Sequence, residues 1–115
     1  MQYLLMIYGN EASGKAATPT DMQQVIAAYG AYSQALVAAG VMVSGQRLQP
    51  SSAATTVRIT NGKTAVLNGP YADTREQLGG YYLIEAADLD AAISWAARCP
   101  GAAHGTMEVR PVWAM

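Results

Sequence analysis

The stretch LNGPYADTREQLGGYYLIE, residues 67–85, decides how this chain is read. Two turn signatures, Asn68-Gly69-Pro70-Tyr71 and Leu78-Gly79-Gly80-Tyr81-Tyr82, bracket a short charged segment that runs directly into an apolar strand. Asn and Gly tolerate positive φ, whereas Pro restricts the backbone and donates no hydrogen bond. Asp73 is placed to cap a single helical turn with Glu76 at its N3 position, and Gly79-Gly80 breaks that turn before a strand over 81–85. Such backbone chemistry suits a segment that carries the chain from a hairpin back into a sheet while shaping a concave wall.

Outward from this stretch the pattern is regular. TTVRIT (55–60) alternates Thr55, Val57 and Ile59 against Thr56, Arg58 and Thr60, a strand with one wet face. Asn61-Gly62 is a strong two-residue hairpin signal, because both turn positions need positive φ, and the chain returns through KTAVLN (63–68). VMVSG (41–45) reads as a strand that continues irregularly to Gln49-Pro50. Before it, Thr18 is an N-cap, Pro19 the first helical residue and Asp21 the third. Met22, Val25, Ile26, Tyr29, Tyr32, Leu36 and Val37 then recur at helical spacing until Gly40 closes the helix. Residues 10–17 are small and polar, a loop, and YLLMIY (3–8) is a strand buried on both faces. Downstream, Asp88 opens a second helix, Arg98 lies at its negative end, and Pro100-Gly101 stops it. GTMEVRPVW (105–113) closes the chain as a strand.

The order strand, helix, strand, hairpin, strand, helix, strand implies an α+β domain spanning residues 1–115. Its plan is the ferredoxin-like split βαβ with an inserted β-hairpin. Helices protect one face of such a sheet and leave the other uncovered. Apolar residues make up 51% of the chain and charged residues 13%, against a usual share of roughly 25%. A chain so poor in charge is expected to cover its bare sheet face with a second copy of itself, as a homodimer. The net charge of −1 is scattered without a basic patch, so no nucleic acid is expected. The single cysteine, Cys99, excludes an internal disulfide and reads as a small buried hydrophobe. The first residues carry no positive n-region and too short an apolar run for a signal or membrane span, so the reading is a cytoplasmic protein with no membrane partner.

These residues also carry a family likeness. NGPYADTREQLGGYYLIE is similar to the hallmark of the YCII-related proteins, specifically the subgroup named for a DGPF motif, and the ends MQYLLMIYGNE and MEVRPVW match as well. AYGAYSQALVAAGVMVSG and ADLDAAISWAARCP also resemble the family, so the likeness covers essentially the whole chain. It implies a ferredoxin-like protomer that pairs into a dimeric α/β barrel, in a family described as enzymes of unknown reaction, some associated with sigma factors. The chain departs from that pattern in two places. The motif's usual Asp is Asn68 and its usual Phe is Tyr71. An amide does not titrate, so no catalytic carboxylate carries over to Asn68. The family is credited with a His/Asp pair, yet the helix over 18–39 contains no histidine.

The residues of a candidate ligand pocket are therefore Asn68, Gly69, Pro70, Tyr71, Glu76 and Tyr81, near the expected dimer interface. Each has a plainer structural reading, the turn as a rigid corner and Asp73 with Glu76 as a capping pair. The Gly79-Gly80 pair lacks the Lys-Ser/Thr of a P-loop and the third glycine of a dinucleotide fingerprint. His104, the only histidine, reads as a surface group; in an enzymatic reading it is the one side chain titrating near neutrality, with Glu76 or Glu108 as partner. Metal and organic cofactors are not expected. Three functions remain open: a small-molecule-binding homodimer, a cofactor-independent enzyme using His104 and Glu76, and an interaction module linked to sigma-factor regulation.

Overall fold

The computed structural model describes residues 1–114. The chain runs β1 (Gln2–Gly9), α1 (Glu11–Lys15), α2 (Pro19–Ala38), β2 (Met42–Arg47), a 3-10 turn (Ser51–Ala53), β3 (Thr55–Thr60), β4 (Lys63–Asn68), β5 (Gln77–Glu85), α3 (Leu89–Arg98), α4 (Pro100–His104) and β6 (Thr106–Pro111). Four strands form one sheet in the order β2-β5-β1-β6, with every neighbouring pair antiparallel. This mixed α+β arrangement is compatible with a ferredoxin-like fold. β3 and β4 pair only with each other, as a separate two-stranded ribbon.

Local chemistry explains the helices. Thr18 and Asp21 form a reciprocal capping box at the start of α2, with Pro19 in its first turn. Gly40, at φ +73°, follows its C-terminus. Asp88 caps α3 by accepting from the Ala91 amide at 2.8 Å. At the hairpin tip Asn61 and Gly62 both have positive φ, 53° and 75°.

The two-residue period of the strands sets the layers. Tyr3 and Leu5 of β1 lie opposite Ile84 and Tyr82 of β5, and this face receives Tyr32 and Leu36 from α2 and Ala92 and Ala96 from α3. Leu5, Leu36 and Ile84 are wholly buried, each contributing about 1.5–3 kcal/mol of apolar transfer. The Tyr32 ring meets Tyr82 edge to face at 5.2 Å between centroids, and its hydroxyl donates to the Trp95 carbonyl at 2.7 Å. The intervening residues Leu4, Met6 and Tyr8, with Tyr81 and Leu83, face away from the helices and stay partly exposed. β1 is thus buried on one face and only partly covered on the other, which corrects the expectation of a strand buried on both faces.

Three further expectations need correction. Residues 10–17 are not all loop: Asn10 caps α1 by accepting from the Ala12 and Ser13 amides. The capped turn at Asp73–Glu76 does not form. The Thr74 hydroxyl donates to the Glu76 carbonyl at 2.5 Å and the Gln77 side-chain amide to the Thr74 carbonyl at 2.7 Å, local bonds that compete with a helical turn. Nor do Gly79-Gly80 precede the strand, since β5 begins at Gln77 and contains both. Gly80 is needed there for space, because a Cβ on it would lie 2.8 Å from the Gln46 carbonyl oxygen of β2. Gly79 sits at a bulge, between the pairs Ile7–Gly80 and Tyr8–Leu78. No helix among the described residues is long and apolar enough to cross a membrane.

Candidate functional site

Strand ends of β1, β2 and β5 come together at one end of the sheet. Gly9 of β1 pairs with Gln77 of β5, Arg47 of β2 with Gly80, and the Leu48 amide donates to the Gly79 carbonyl at 2.9 Å. The strand ends therefore meet where the chain enters and leaves the hairpin. Between them lies a cleft of about 640 Å³, lined by Tyr8 and Leu78, by Leu48–Ser51 with Ala53 and Ala54, and by Pro70, Ala72, Thr74 and Gln77. A shallower hollow of about 410 Å³ follows Ala54–Arg58 with Pro70 and Tyr71.

A polar chain braces the larger cleft. The Glu11 carboxylate accepts from the Ser51 amide at 2.6 Å and from the Ser51 hydroxyl at 2.7 Å, one oxygen each. The Glu11 amide in turn donates to the Gln77 side-chain oxygen at 3.0 Å. Both bonds from Ser51, the hydroxyl's first, hold the Glu11 carboxyl below its ordinary value, and Lys15 adds a smaller effect in the same direction. Two residues that line the cleft, Ser51 and Gln77, are thereby tied to α1. None of this was visible in the sequence reading. Glu11 and Ser51 are forty positions apart, and only the Asn10 cap before Glu11 marked the segment as ordered.

The expected site residues separate. Pro70 lines both the cleft and the hollow, and Tyr71 lines the hollow, where the Arg58 guanidinium lies 5.6 Å from its ring centroid. Gly69 holds φ +110° while its amide donates to the Ala54 carbonyl at 2.7 Å and its carbonyl accepts from Thr56. It closes the hairpin, as the rigid-corner reading has it. Asn68, Gly69, Glu76 and Tyr81 line neither depression. Glu76 accepts from the Thr106 hydroxyl at 2.6 Å, and Glu108 pairs with Arg110 at 2.7 Å. His104 ends α4, exposed, and among the described residues its side chain makes no hydrogen bond. The carboxylates suggested as its partners are engaged elsewhere.

Cys99 joins α3 to α4 and is buried. Burial pushes its thiol up, which the Gly101 amide and Tyr29 only partly offset. Burial, and then Cys99, push the Tyr29 hydroxyl up to about 12. A nucleophilic cysteine needs the opposite environment, one that favours thiolate. No group of three or more His, Cys, Asp or Glu side chains among the described residues is placed to hold a metal ion.

The fold and cleft define a class: a small α+β domain with one bare sheet face and an uncharged depression at the sheet end. The sequence matches the YCII-related domain over residues 1–115, and the chain belongs to that family. It is 37% identical over 114 residues to an uncharacterized protein of Rhizobium meliloti (strain 1021), covering 97% of this chain and 92% of that protein.

Proposed function

We propose that this YCII-related protein, of the DGPF-motif subgroup, is a cytoplasmic homodimer that binds a small uncharged molecule in the cleft at the sheet end. The observation that carries the binding reading is the cleft itself. Its volume of about 640 Å³ falls within the usual range for small-molecule sites, and Pro70, Ala72, Thr74, Gln77 and Leu78 of the 68–81 stretch supply much of its wall. No lining residue is charged. Tyr8, Leu48, Pro50 and Leu78 offer apolar surface, while Gln49, Ser51, Thr74 and Gln77 offer hydrogen bonds. A compact, largely apolar ligand with one or two neutral polar groups fits that chemistry. The reading assigns no catalytic step, since Glu76 is held by Thr106 and His104 stands apart from its suggested partners.

The dimer reading rests on area. The chain exposes 8081 Å², whereas a compact monomer of 12.1 kDa exposes about 6,000 Å² by the usual mass scaling. The excess of roughly 2,000 Å² per chain is more than a stable interface needs from each partner. Stacking the bare faces of two sheets through Leu4, Met6, Tyr8, Tyr81 and Leu83 forms a dimeric α/β barrel and leaves the cleft beside the interface, because Tyr8 belongs to both.

Light scattering tests assembly, with a particle of twice 12.1 kDa expected at micromolar concentration and one of 12.1 kDa overturning it. Amide shifts on titration with phenol, a neutral amphipathic probe, test the cleft. They are expected to cluster on Tyr8, Ser51, Gln77 and Leu78 and to vanish in Ala72→Trp, which fills the space. Shifts scattered over the surface, or unchanged in that variant, refute the site.

A further inference from the structure

We infer that the β3–β4 hairpin is an arm that docks its apolar face on the partner subunit, so that the cleft at its root is bounded by two chains; this rests on the homodimer reading above. The ribbon's two faces are treated differently by its own chain. On one face Thr56 donates to the Gly69 carbonyl and Arg58 lies over the Tyr71 ring, with exposed Leu67 opposite Thr56 the one large apolar side chain of the ribbon there. On the other, Val57 pairs across the strands with Val66 next to Ile59, and these three side chains are 60%, 60% and 74% exposed. No strand of the main sheet pairs with either edge. A lone two-stranded hairpin is marginal in water, and its bare edges and apolar face favour association.

The occupant is a second copy because of the area to be covered. The five side chains of the bare sheet face are already partly buried and account for roughly a few hundred of the excess Å². The remainder lies on projecting parts, and the radius of gyration of 16.0 Å, against about 13 Å for a compact chain of this length, records that projection. In a two-fold dimer each arm is covered as it covers, which buries the Val57, Ile59 and Val66 face twice. Ala54 and Pro70, at the arm's root, also line the cleft, so fixing the arm on the partner fixes that wall.

The test combines light scattering over a dilution series with amide hydrogen exchange on the full chain and on Ile59→Lys. Ile59 is so exposed within its own chain that the substitution is expected to leave the protomer's own melting temperature unchanged. Amides over 55–68 are expected to exchange at least about a hundredfold slower in the dimer than in a free hairpin. Ile59→Lys is expected to weaken the dimer by about tenfold or more and to release that protection, because it places a charge in a docked apolar face. A wild-type dimer whose arm exchanges freely, or an Ile59→Lys protein that dimerises as tightly as wild type, overturns the arm and leaves the sheet-face dimer standing. A wild-type monomer overturns both.

Discussion

Two adjacent glycines in β5 should respond in opposite ways to the same added methyl group. A Cβ on Gly80 lies 2.8 Å from the Gln46 carbonyl oxygen and 3.4 Å from the Arg47 Cα, both backbone atoms of a strand held in register by β5. The strands must separate by several tenths of an ångström, and strain of this kind costs about 1–3 kcal/mol. Unfolding entropy for a chain of 115 residues is about 0.24 kcal/mol per degree, so Gly80→Ala should lower Tm by about 4–12 °C. A Cβ on Gly79 meets only the Ile7 carbonyl oxygen, at an ordinary 3.8 Å, and neither glycine has positive φ. Gly79→Ala should therefore be neutral, or stabilising by up to about 1 kcal/mol through the unfolded chain. Thermal melts followed by circular dichroism, at one fixed protein concentration, decide the matter. A Gly80→Ala protein that melts with Gly79→Ala would refute the claim that close backbone approach, rather than flexibility, explains the pair.

The Glu11–Ser51 tie should be sensitive to pH. Its carboxyl is held below the ordinary value of 4.5, so its stabilising contribution is complete above that value and fades as pH falls through the lowered one. Glu11→Gln should melt below wild type near neutrality and converge with it in acid; a constant gap across that range would show that the charge is irrelevant. His104→Ala should leave thermal stability within about 0.5 kcal/mol of wild type, as for an exposed residue with no side-chain hydrogen bond among the described residues, and a larger loss in a denaturant titration would reveal a structural role.

Some of the fold was legible because its causes are local. The Thr18 capping box, the Asp88 cap and the Asn61-Gly62 turn each depend on residues within a few positions of one another, and all form as read. The turn over 73–76 failed for a local reason as well, since Thr74 and Gln77 offer the backbone other bonds, and a capping pattern does not register such competitors. The site was far less legible. Asn68 and Gly69 attracted attention through unusual backbone chemistry, but that chemistry closes the hairpin, while cleft residues such as Leu48, Ser51 and Leu78 have no distinctive spacing.

By itself the sequence determined the long helices, the β3–β4 hairpin, most of the strands, and the family. Alternation, capping and a low share of charge are properties of neighbouring residues and totals. Tertiary structure alone decided that Glu11 reaches Ser51, that Gly80 must lack a side chain because β2 passes against it, and that the cleft opens at the sheet end. Those facts depend on which distant strand ends come together, and strand register sets that across the whole chain rather than within any stretch of it.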